Sequence, residues 1–168
     1  PPGRKPIVTL HKYDNQLTSL YQGIRKQIQQ GRQAYIVFPV IKESEKKDLK
    51  DLESGFEALK EVFPDLRLSK VHGKMKSKEK EEEMRRFVSG ETQILVATTV
   101  IEVGVNVPNA SVMVILDAQR FGLSQLHQLR GRVGRTNKRA YAYFTFQRGK
   151  VLSEISQKRL DAIREFTQ

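Results

Sequence analysis

The chain has 168 residues, 38% of them hydrophobic, no cysteine, and thirty lysines and arginines against nineteen aspartates and glutamates, for a formal net charge of +11. That length suits one domain with a real core. The composition excludes wholesale disorder, a disulfide framework and a thiolate metal site, and no apolar stretch nears the roughly 18 residues of a membrane span.

The chain opens with Pro1, Pro2 and Pro6 around Gly3, Arg4 and Lys5, which cannot start a helix or a central strand. It reads as a connector (1–6) arriving from an upstream lobe, and no signal-peptide pattern is present. A strand follows at 7–10. Residues 15–30 carry Leu17, Leu20, Tyr21, Ile24 and Ile28 at helical spacing, with Asp14 or Asn15 expected as the cap and Gly31 as the stop. Residues 34–40 (AYIVFPV) have the apolar run of a strand buried on both faces. The mixed-sign stretch 42–50 (KESEKKDLK) reads as a solvated loop without a chemical role. It leads into a helix over 47–63 whose inner face is Leu49, Leu52, Phe56, Leu59, Val62 and Phe63, interrupted by Gly55.

A short strand is expected at 68–72. Ser77 then caps a charged helix through Ser89 that turns Met84, Phe87 and Val88 inward, closed by Gly90. Strands at 93–97 and 111–116, a helix at 124–132, a strand at 140–146 and a helix at 154–166 complete the pattern. Strands alternating with helices predict an α/β fold with a mainly parallel sheet and helices on both faces. Ligands of such sheets bind beyond the carboxyl ends of the strands.

The charge surplus favours a polyanionic partner, nucleic acid above all, although a domain that is simply basic accounts for it too. Three segments near predicted strand ends carry phosphate-seeking groups. His72-Gly73-Lys74-Met75 places a glycine where backbone can approach a ligand; a tight turn with a surface lysine is the plainer alternative. Thr98 and Thr99 can donate hydroxyl hydrogen bonds to phosphate without adding charge, and Asn106 offers an amide; a β-branched strand end and an asparagine turn explain the same residues. Gln125 to Arg135 (QLHQLRGRVGR) is the richest stretch. In a continuous helix Gln125, Gln128 and Arg132 share a face, and Arg132 and Arg135 form a guanidinium pair suited to a transferring phosphoryl group. A basic loop facing nucleic acid is the alternative. The chain has no GxxxxGK[ST] loop, no paired acids for Mg²⁺, no metal-ligand spacing among His11, His72 and His127, and no serine elbow. It has phosphate-stabilising groups and nothing to hold a nucleotide alone.

Taken in order, AYIVFPVI (34–41), HGKM (72–75), ILVATTVIEVGVNVP (94–108) and QLRGRVGR (128–135) resemble motifs IV, IVa, V and VI of superfamily 2 helicases, in their second RecA-like lobe. The resemblance covers essentially the whole chain. PPGRKPI, VHGKMKSKEKEEEMRRF and FGLSQLHQLRGRVGR resemble the RecG family of branched-DNA helicases most, and RAYAYF with QKRLDAIREF is similar also to the transcription-repair coupling factor.

The resemblance implies a RecA-like three-layer sandwich over 7–150, with 151–168 as the first helix of a translocation-coupling hairpin. It implies an ATP-dependent DNA helicase or translocase that remodels branched DNA, with ATP and Mg²⁺ held mainly by an upstream lobe, in a monomeric chain with no membrane partner. A cytoplasmic, nucleoid-associated place in a bacterium is expected. Arg132 and Arg135 would act as arginine fingers with Gln128 orienting in the same cleft. Gly104 and Asn106 would face the nucleotide, the latter where most relatives have Asp. His72, Gly73, Lys74, Thr98 and Thr99 would contact the DNA backbone. Ser77 and Lys80 stand where many relatives have Gln and Arg, which takes weight off a nucleic-acid role for them. A non-enzymatic nucleic-acid-binding module and a flavodoxin-type ligand domain are the rival readings.

Overall fold

Among the described residues six parallel strands form one sheet in the order β1-β6-β5-β2-β4-β3. They are β1 (Ile7–Tyr13), β2 (Gln33–Val37), β3 (Leu68–Val71), β4 (Ile94–Ala97), β5 (Ala110–Ile115) and β6 (Ala140–Phe146). The computed structural model describes residues 7–13, 16–39, 45–98, 107–133 and 139–146. Among the described residues four α-helices occur with the strands: α1 (Leu17–Gln29), α2 (Glu45–Val62), α3 (Ser77–Val88) and α4 (Leu123–Arg130). The expected three-layer α/β architecture is therefore present. The expected connector, the stretch 99–106 and the helix at 154–166 lie outside the described residues.

The layers follow from the side chains. Leu20 and Ile24 of α1 and Leu52, Phe56 and Leu59 of α2 pack with Ala34, Ile36, Val96 and Val114 on one face of the sheet. Met84 and Phe87 of α3 and Leu126 and Leu129 of α4 pack with Tyr35, Val37, Leu95 and Met113 on the other. Every residue of β2, β4 and β5 is buried, as expected of strands covered on both faces. The strand order explains the helix sides. The chain moves one way across the sheet through α1 and α2, then the other way through α3 and α4, and right-handed crossovers in opposite directions put helices on opposite faces. No described helix is long and apolar enough to cross a membrane.

Several element ends, and one buried position, depart from expectation. The cap of α1 is Gln16, which makes no side-chain capping bond, rather than Asp14 or Asn15, both outside the described residues. The helix α2 begins at Glu45, inside the stretch read as loop, because its Lys and Glu residues are good helix formers. Lys76, extended at φ −67° and ψ 150°, occupies the cap position of α3, leaving Ser77 inside the helix; the first helical bond is already Lys80 N–H to Lys76 O at 3.0 Å. Val88 is 49% exposed: it is the final residue of α3, just before the chain reverses through Gly90 at φ +85°, and its side chain stays outside the core that takes Phe87. The stop of α1 is the expected one: Gly31 takes φ +85° and donates its N–H to Ile28 O at 2.9 Å, the left-handed ending that glycine suits.

Gly55, an apparent flaw in α2, is a seat for Phe38. A Cβ there would stand 2.3 Å from Phe38 Cζ. In an exposed helix Gly→Ala gains about 1 kcal/mol, whereas forcing a carbon into an occupied space costs about 1–3 kcal/mol. Gly55→Ala is therefore expected to lower stability in chemical denaturation, and a raised unfolding midpoint would refute this seat.

Candidate functional site

The backbone aligns the strand ends as a row. Thr98 N–H donates to Val71 O at 3.3 Å, Phe38 N–H to Ala97 O at 2.8 Å and Leu116 N–H to Val37 O at 2.9 Å, and Asp117 N–H donates to Thr145 Oγ1 at 3.2 Å. The carboxyl edge thus runs His72, Thr98, Phe38, Asp117, Thr145. Phe38, Pro39, Asp51, Asp117, Arg120 and Thr145 line a cleft of about 360 Å³ on this edge. Asp117 sits at φ 49°, in the left-handed region, and no feature of the sequence marked it.

His72 and Thr98 come together because β3 pairs with β4, Val71 opposite Ala97. Thr98 is buried, 6% exposed. The turn after β3 is closed by Met75 N–H donating to His72 O at 3.2 Å and by Lys74 N–H donating to His72 Nδ1 at 3.2 Å. Gly73 and Lys74 are exposed on it. The residues expected to meet a backbone phosphate thus share one edge, with Thr99 outside the described residues.

The arginine segment lies elsewhere. A parallel connection returns from the carboxyl end of one strand to the amino end of the next, so α4 runs antiparallel to β5 and β6. Its eight residues span about 12 Å before Gly131 ends the helix. Gly131 N–H donates to His127 O at 2.9 Å, then Arg132 N–H to Leu129 O at 3.1 Å and Val133 N–H to Arg130 O at 3.3 Å, a tightened last turn of the kind common at helix ends. The helix therefore stops at Arg130, not at 132, and Arg132 does not share a helical face with Gln125 and Gln128. Gln125 instead secures the start of α4, where its Oε1 accepts the Gly122 N–H at 3.0 Å.

Gln128 is exposed and Arg132 half-buried. Among the described residues no carboxylate pairs with the Arg132 guanidinium. Val133 anchors that turn in the core on the α3–α4 side. Arg135, Gly104 and Asn106 lie outside the described residues. The described site residues thus fall in two places: His72, Gly73, Lys74 and Thr98 at the carboxyl edge of the sheet, and Arg132 in the turn after α4. Among the described residues no group of three or more histidines and acids is placed to hold a metal ion.

At the amino edge two side-chain amides, buried Gln33 and exposed Asn109, tie the start of β2 to the loop before β5. Gln33 Nε2 donates to Phe87 O at 2.7 Å and Thr92 O at 2.8 Å, and Asn109 Nδ2 donates to Gly31 O at 2.9 Å and to Gln33 Oε1 at 3.1 Å. The partners in this network are separated by more than fifty residues, so no local pattern announces them.

Residues 15–137 match the family described as the helicase conserved C-terminal domain. The chain is 43% identical over 168 residues to the ATP-dependent DNA helicase RecG of Thermotoga maritima, covering 99% of this chain and 21% of that relative. It is 41% identical over 169 residues to the transcription-repair-coupling factor of Bacillus subtilis, covering 100% of this chain and 14% of that protein. A solved structure of RecG bound to a three-way DNA junction superposes with a TM-score of 0.77 at 38% identity, over 99% of this chain and 21% of that one. The chain spans about a fifth of the length of the RecG relative.

Proposed function

Since the chain belongs to the helicase conserved C-terminal domain family, we propose that it is the second motor lobe of an ATP-dependent, RecG-like DNA helicase acting on branched DNA. The observation that carries this reading is the Arg132 turn, a guanidinium presented without a carboxylate partner among the described residues, in a chain lacking any phosphate-binding loop of its own.

An upstream lobe would hold Mg²⁺ and most of the nucleotide, with Gly104 and Asn106 of this chain on the nucleotide side. Bound triphosphate supplies the free energy of its hydrolysis. Arg132 and Arg135 would reach the phosphate oxygens and stabilise charge as it develops there, with Gln128 orienting beside them. His72, Gly73, Lys74, Thr98 and Thr99 would form the edge that follows one DNA strand. Contacts to phosphate carry no sequence information, which a moving grip requires. The separation of the two sets lets lobe closure at the arginines shift the grip at the strand edge. Residues 151–168 would begin the coupling hairpin, and the whole would act as a monomer on the bacterial nucleoid.

A protein carrying this chain behind its nucleotide-binding lobe is expected to hydrolyse ATP faster with a three-way junction than with linear duplex of equal length, and to separate the junction's strands. Equal stimulation by both DNAs, without strand separation, would remove the branched-DNA assignment. It would favour the second reading, a coupling-factor translocase, which the 41% identity over the whole of this chain to 14% of that relative supports.

A further inference from the structure

We infer that His72 is an internal brace of the phosphate-facing turn and not a phosphate donor, and that Glu53 of α2 is the residue that positions it. This deepens the proposed DNA grip and rests on that reading.

The sheet places the parts. β3 is the edge strand, and alternate residues of a strand face opposite sides. Leu68 packs with α2 on one face and Val71 with α3 on the other, so Lys70 and His72 face α2. There Glu53 meets both. Its Oε2 takes Lys70 Nζ at 2.8 Å and its Oε1 stands 3.7 Å from His72 Nε2. Lys70 is held further by its ammonium lying 5.0 Å from the centre of the Phe56 ring, one turn along α2.

The imidazole's two nitrogens then have fixed parts. Nδ1 accepts the Lys74 N–H at 3.2 Å, so in the neutral ring the proton sits on Nε2, directed at the carboxylate. The side chain is 12% exposed. Nδ1 is therefore spent inside the turn, and Nε2 faces Glu53 across a gap longer than a hydrogen bond, on a side chain with little surface to offer a phosphate. The backbone N–H groups of Lys74 and Met75 are also spent inside the turn. The amide of Gly73, exposed at the tip, has no partner among the described residues. The geometry makes Gly73 N–H the backbone donor and His72 the side chain that shapes its presentation.

Protonation at Nδ1 would eject the Lys74 N–H. Burial holds the imidazole below its ordinary pKa; Glu53 on α2 pulls it up, Lys70 on β3 and Lys80 on α3 push it down, and Glu79 on α3 pulls it up. The ring is therefore neutral at pH 7 and the turn closed.

The full chain, ¹⁵N-labelled, is expected to show His72 as the Nε2–H tautomer in a long-range ¹H–¹⁵N spectrum. Glu53→Gln should lower the His72 pKa further and move the Gly73 and Lys74 amide resonances. Asn can place its Oδ1 where Nδ1 stands, and Gln cannot. With a labelled oligothymidylate as probe, His72→Gln should bind about fivefold more weakly than His72→Asn, the scale of one hydrogen bond. An Nδ1–H tautomer, or equal losses in the Asn and Gln variants, overturns the brace. A parent chain that shows the Nε2–H tautomer and fails to bind the oligothymidylate keeps the brace and counts against the DNA grip.

Discussion

Replacing Arg132 or Arg135 by Ala, in a protein carrying this chain behind its nucleotide-binding lobe, is expected to lower DNA-dependent ATP hydrolysis by about 10³–10⁵-fold, the usual worth of an arginine finger. DNA affinity should stay within about threefold. The two readouts separate because the groups do: the arginine turn follows the far end of α4, whereas His72 and Thr98 sit at the carboxyl edge of the sheet. Lysine should not rescue either position, since a point charge does not reproduce the planar fork. Arg132 is the sharper test, because its backbone is pinned by two tight-turn hydrogen bonds and by buried Val133, so an alanine there removes the guanidinium without loosening the turn. Steady-state hydrolysis and anisotropy on the same preparation decide it. Near-normal turnover by Arg132→Ala would end the finger assignment, and a matching loss of DNA affinity would move the arginine to the DNA edge.

Phe87→Ala should cost about 3–5 kcal/mol, the range for emptying a buried aromatic site, against a total stability of about 5–15 kcal/mol for a domain. The helix α3 is charged along its length and keeps only Met84 and Phe87 fully inside. Phe87 is 0% exposed and its ring centre lies 5.3 Å from that of Tyr35 on β2. Its carbonyl also accepts the buried Gln33 amide at 2.7 Å, so the loss of packing reaches the amide network that fixes the amino edge. Val88→Ala, one residue on and exposed, should stay within about 0.5 kcal/mol. Urea unfolding of both variants measures the contrast. Comparable losses would show that Val88 too is packed inside.

Legibility in the sequence differs from element to element. The runs AYIV, ILVA and SVMVI announce buried strands, because transferring β-branched side chains from water is strong enough to register over five residues. The helical stripe of α1 and its glycine stop are equally plain. Ends are less so. The pattern extends α4 to 132, since nothing in QLRGRVG forbids another helical turn, and only the carbonyls of His127, Leu129 and Arg130 accepting from the tightened turn reveal the stop. Gly55 looks like a defect until Phe38 is found resting on it. Glu53 could not be found at all, being separated from Lys70 by seventeen residues and meeting His72 only because β3 is the last strand of the sheet.

The sequence by itself determined that strands and helices alternate, which side chains go inside, that the surface is cationic, and that arginines and threonines occur in motif order without a phosphate loop. These depend on preferences acting within one or two turns of chain, where each residue answers mainly to its near neighbours and to water. Tertiary structure alone decided that β4 lies between β2 and β3, so that Thr98 neighbours His72. It also decided that the arginine turn lies away from that edge, and that a helix of the α1–α2 layer braces the histidine. Such contacts are settled by how the sheet closes over both faces at once, a condition on the whole chain that no short stretch carries.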